Sequence, residues 1–114
     1  MKRKINLYQK IILAVLDEEV IIRPKEDMKD VVIADKEKYH YQLIKTGWTE
    51  KGNFVDKTLI HFQILPETGK IWLLTNNTDN PITEELVRRG IPSSEIVIGF
   101  QPPIFRSVSG YAVN

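Results

Sequence analysis

His40 and His61 are the residues whose type best suits acid–base work or metal ligation. Both fall in segments with strand-like alternation, so they are able to approach each other across a sheet. Two ligands are too few for a structural zinc site, and no carboxylate stands at a diagnostic spacing from either. Each is therefore expected to be a packed, hydrogen-bonded strand residue. Ser93, Ser94, Ser107 and Ser109 lie in loop-like stretches without the glycine-flanked elbow of a serine nucleophile. Asp35, Glu37 and Asp56 are scattered over strand ends and turns and show no paired-carboxylate arrangement. The glycines, from Gly47 to Gly110, are too dispersed to cradle a phosphate. The chain has no cysteine, which removes thiolate nucleophiles, disulfides and cysteine zinc sites. The expectation is no catalytic residue, no metal site and no cofactor; a small enzyme built on His40 or His61 ranks last.

Binding chemistry is better represented. Lys38, Tyr39, Tyr41, Lys45 and Trp48 interleave aromatic and basic side chains, the composition of a stacking platform for single-stranded nucleic acid. Tyr and Trp also enter half-buried sheets simply because they fit there. A formal net charge of +1 gives no global field for nucleic acid, so any DNA contact needs a local patch. Lys2, Arg3 and Lys4 form the one basic cluster, and a terminal cluster of this kind is ordinarily a solvated end. Trp48 and Trp72 are equally suited to a protein interface, as are Phe100, Pro103 and Phe105 in an apolar, proline-stiffened stretch. Arg106 offers a planar fork for a carboxylate or phosphate, or an ion pair that ties down the tail.

The elements that carry these residues follow from periodicity. Ile5, Tyr8, Ile11, Ile12, Val15 and Leu16 recur at three- and four-residue spacing and predict an amphipathic helix from about Lys4 to Val20. From Lys29 to Thr75 the period becomes two. Strands are predicted near Val31–Ala34, over Tyr39–Ile44 with Gly47 and Trp48 following, over Phe54–Ile64, and over Ile71–Thr75. In the third, Phe54, Thr58, Ile60, Phe62 and Ile64 are expected to share one face, with Leu59 and His61 on the other. Loops this short require antiparallel neighbours, hence a meander of about four strands. A short helix is expected after Pro81 or Thr83, with Gly90 as its left-handed cap and Pro92 beyond. Ser93–Glu95 reads as a turn before a strand at Ile96–Ile98, and Pro102 and Pro103 demote the tail to an edge or irregular segment. The class is α+β: an N-terminal amphipathic helix on a mainly antiparallel meander, then a second short helix, a final short strand and an irregular tail.

The 114 residues are expected to form a single domain over 1–114, long enough to bury a core without staples. No apolar run approaches the ~20 residues of a membrane span, and Ile11–Leu16 is too short for a secretory signal, so a cytoplasmic location without membrane association is expected.

Taken in order, small patterns along the chain resemble the XisI-like family, the cyanobacterial factors that control excision of the fdxN DNA element. The patterns are Tyr39-His40-Tyr41-Gln42-Leu43, Gly47-Trp48, Ile60-His61, Gly69-Lys70-Ile71-Trp72 and Asn77-Thr78-Asp79. They continue through Glu85-Leu86, Gly90-Ile91-Pro92, Ile96 to Phe100, Pro103, Arg106 and Tyr111-Ala112. Departures fall at Asp79, at Gly52-Asn53-Phe54 and in the turn holding Pro66 and Glu67, on the surface rather than in the core. The resemblance implies a non-enzymatic accessory factor in site-specific recombination, regulated during development. It would act beside an XisH-like companion and, indirectly, a recombinase. Apart from the resemblance, a homodimer is one form the chain is expected to be able to take. The residues expected to meet a partner are Trp48, Phe100, Pro103, Phe105 and Arg106. The rival reading is a direct nucleic-acid binder that uses the aromatic strand face with Lys2, Arg3, Lys4 and Lys38.

Overall fold

The structure, a computed structural model, describes residues 1–24 and 27–114. Helix α1 spans Lys2–Glu19 and buries Ile5, Tyr8, Ile12, Val15 and Leu16. These residues are the apolar stripe, and a helix with such a stripe must cover another element. It covers one face of a five-stranded sheet made of β1 (Met28–Asp35), β2 (His40–Trp48), β3 (Phe54–Ile64), β4 (Ile71–Asn76) and β5 (Ile96–Ile98). The spatial order is the chain order, β1 to β5. The first four strands form an antiparallel meander and β5 joins β4 in parallel. That parallel return needs a crossover, supplied by α2 (Ile82–Arg88) and a 3₁₀ turn at Ser93–Glu95. A one-turn helix α3 (Pro103–Arg106) interrupts the tail. The α+β expectation holds, and the one-turn α3 is an addition to the irregular tail it described.

The core lies between α1 and the sheet. Tyr41 and Leu43 of β2, Ile60, Phe62 and Ile64 of β3, Ile71 and Leu73 of β4, and Ile96 of β5 pack against the helix stripe, with Ile82, Leu86 and Ile91 closing one side. Fully buried side chains such as Ile12, Leu16 and Phe62 each contribute roughly 1.5–3 kcal/mol relative to exposure. Arg89 ties α2 to α1 through Glu18 and is itself braced by Glu85 at 2.8 Å. Gly90 takes φ +101° just past the helix, the left-handed stop expected of it.

One expectation about faces is overturned. Leu43 pairs with Ile60 but Ile44 pairs with Thr58, so Leu59 is an extra residue in β3. A bulge of this kind reverses the inside–outside pattern beyond it. Leu59 packs against the core, while Phe54, two-way partner in register with Trp48, is exposed on the opposite face from Ile60. Phe54 and Thr58 therefore do not share the face of Ile60, Phe62 and Ile64. The period-two reading assumed an unbroken ladder.

Candidate functional site: the open sheet face and the tail

The sheet face away from α1 carries Val31 and Ile33 from β1, His40, Gln42, Ile44 and Trp48 from β2, Phe54, His61 and Gln63 from β3, and Trp72 from β4, as strand alternation and register require. The tail covers only the β4–β5 side. Val97 is buried outside the main core, opposite Trp72, and Ala112 forms a parallel bridge to it while its N–H donates to Ile96 O at 2.8 Å. Gly99 permits this close return: a Cβ there would stand 3.0 Å from both Leu74 Cδ2 and Trp72 Cε3.

Arg106 is the clamp. Its guanidinium lies 5.0 Å from the centre of the Trp72 ring, and Nη2 donates to Gly99 O at 3.2 Å. Nη1 donates to Val113 O, so one side chain fastens both ends of the tail. Three buried polar atoms at this junction, Trp72 Nε1, Gln101 Oε1 and Arg106 Nε, find no hydrogen-bond partner among the described residues. The clamp holds a strongly apolar outer surface: Phe100, Ile104, Phe105 and Val108 are 54%, 78%, 58% and 83% exposed, with Pro103 exposed beside them.

Trp48 is also exposed and stacks edge-on against Phe54 at 5.2 Å between ring centres. It borders a surface cleft of about 430 Å³ shared with Asp27, Lys45 and Lys51. It is not next to the tail. Gly99 meets β4 at Leu73, whose row runs through Phe62 to Tyr41, and Trp48 lies seven residues further along β2, roughly 23 Å. The expected partner residues thus form two patches rather than one.

The aromatic–basic row is also divided. Tyr41 is fully buried and donates its hydroxyl to Gln9 Oε1 at 2.7 Å; burial is the main cause that pushes its pKa up to about 12. Tyr39 packs against the core, and Trp48 faces the other way. Lys2 and Arg3 are exposed, whereas Lys4 pairs with Glu95 and donates to Thr68 O at 3.3 Å. Lys38 is exposed in the β1–β2 turn.

His40 and His61 do meet. Nδ1 of one lies 2.9 Å from Nε2 of the other, one ring donating and the other accepting. Burial, then the neighbouring His40, hold the His61 pKa below its ordinary 6.5. Among the described residues, no group of three or more His, Cys, Asp or Glu is placed to hold a metal ion. Phe54 and Val108 were missed from sequence; only a bulge exposes the first, and only the clamped tail presents the other.

The chain is thus a small α+β domain that holds two exposed apolar patches and a histidine pair on one scaffold. The XisI protein family model matches residues 1–113, and the chain belongs to that family. Its structure is similar to a XisI-like protein from Anabaena variabilis, with 33% identity over 99% of this chain and 97% of that one and a TM-score of 0.77. It is also similar to the fdxN element excision controlling factor XisI of the same organism, with 25% identity over 97% of this chain and 99% of that one and a TM-score of 0.79. No curated protein matches the sequence. Among the described residues, no helix is long and apolar enough to cross a membrane.

Proposed function

We propose that this chain is a non-catalytic control factor for excision of a DNA element, acting by docking an XisH-like companion protein that engages a recombinase. Membership of a family that includes a named excision controlling factor supports the reading. The observation that carries it is the clamped tail, which presents Phe100, Ile104 and Phe105 in a fixed arrangement and so lowers the ordering cost of binding. Trp48 and Phe54 supply a second aromatic contact elsewhere on the same scaffold. Arg106 then serves the interface from behind rather than by touching the partner.

The test is co-expression with the XisH-like companion, followed by purification and light scattering at low and high salt. A complex that survives high salt is expected, because apolar burial is not weakened by ions. Absence of a complex, with salt-sensitive retention of DNA by this chain alone, would move the assignment to nucleic-acid binding through Lys2, Arg3 and Lys38, since counterion release makes phosphate binding fall steeply with salt.

A further inference from the structure

The two edges of the sheet are treated differently. The β5 edge is covered by the tail through Ala112. The β1 edge is eight residues long, contains no proline and, among the described residues, makes backbone bonds only to β2. Such an edge is a template for another strand unless it is blunted. Asp30, the one charge within it on the α1 side, does not blunt it: its carboxylate accepts from Arg23 Nη1 at 2.8 Å and from Ile21 N–H at 2.9 Å and is withdrawn from solvent.

We infer that β1 pairs antiparallel with β1 of a second copy of this chain, about a two-fold axis at Val32, joining two sheets into one of ten strands. The register follows from the backbone. Trp48 N–H donates to Asp27 O at 3.0 Å, one step before Met28 pairs with Gly47. Hydrogen-bonded and free positions alternate along an antiparallel strand. Lys29, Val31, Ile33 and Asp35 therefore spend their backbone groups on β2, and Asp30, Val32 and Ala34 direct theirs outward. A symmetric pair must match outward positions with outward positions, which leaves axes at Val31, Val32 or Ile33 near the strand centre.

Charge decides among the three. An axis at Val31 sets Asp27 against the second copy's Asp35 and Lys29 against Ile33. One at Ile33 sets Val31 against Asp35 and extends pairing into the turn after β1. The axis at Val32 sets Lys29 against Asp35 twice and Val31 against Ile33 twice, all on the open face at the closely spaced, non-hydrogen-bonded positions. Ile33, 45% exposed in the single chain, faces Val31 there, and this axis alone joins that apolar contact to the Lys29–Asp35 pairs.

Sedimentation or light scattering over a concentration series tests this without reference to any companion. A dimer is expected, and a chain monomeric throughout overturns the inference. Ala34→Pro removes an outward N–H and no bond to β2, so it is expected to yield a folded monomer by circular dichroism; a dimer that persists in a folded Ala34→Pro variant overturns it. Lys29→Glu is expected to raise the dimer dissociation constant roughly tenfold by turning two attractive pairs into repulsive ones. Because the chain has no cysteine, single substitutions read the register directly. Val32→Cys is expected to cross-link on mild oxidation in preference to Val31→Cys or Ile33→Cys, and preferential linking at 31 or 33 overturns the assigned axis.

Discussion

At the residue scale, the histidine pair sets a pH response. Its folded-state pKa at His61 lies below the ordinary 6.5, so the unfolded chain binds the proton more readily. The contribution to stability is complete above 6.5 and is lost as pH falls through and below that value. The lowered carboxylates, Asp35 and Glu85, begin to matter only at pH values below this window. The urea midpoint is therefore expected to fall between pH 7 and pH 5.5, and His61→Gln to flatten the drop; an equal slope in the variant would remove the pair as its cause. Gly47 is a second point of control. It has φ +139°, and a Cβ there would stand 1.9 Å from Asp27 O, where the start of β1 crosses β2. Gly47→Ala is expected to cost roughly 2–3 kcal/mol in denaturant unfolding, through strain and a shifted β1.

At the scale of the element, the tail depends on one side chain. Arg106→Ala removes the ring contact and both carbonyl bonds and exposes Trp72. A red-shifted Trp fluorescence and early proteolytic cleavage within residues 100–114 are expected, with the core transition little changed. Unaltered emission and protease resistance would show that the Ala112 bridge suffices. Lys in place of Arg keeps the charge but not the planar fork, and is expected to rescue only in part. Helix α1 behaves oppositely. Leu16 is fully buried under the sheet, and Leu16→Ala is expected to cost about 2–5 kcal/mol of global stability. The contrast separates an element that makes the core from one that presents a surface.

At the scale of the molecule, partner binding is expected to divide between the patches. Phe105→Ala is expected to weaken the XisH-like companion's binding by about 2 kcal/mol, the size of an aromatic hot spot, with thermal midpoint unchanged. Titration calorimetry on the purified pair measures it, and unaltered affinity would take the tail out of the interface. Trp48 lies too far from the tail to share one compact contact, so its substitution reports on a separate surface. Pairing through β1 leaves the tail patch exposed, because the tail sits at the opposite sheet edge. A dimer would then offer that patch twice.

Local periodicity by itself determined the elements: the stripe from Ile5 to Leu16 made α1, and alternation with short turns made the meander, because both signals act between residues near in sequence. The histidine approach was legible for the same reason, since adjacent strands in a meander bring alternate residues together. The tertiary structure alone decided which face each residue served. A single extra residue at Leu59 reversed Phe54, and burial took Tyr41 from the aromatic row. Arg106 found Trp72, 34 residues earlier in the chain, only because β5 returns parallel to β4 and turns the tail back over it. Register and long-range closure are set by packing across the whole sheet, and no window of neighbouring residues contains that information.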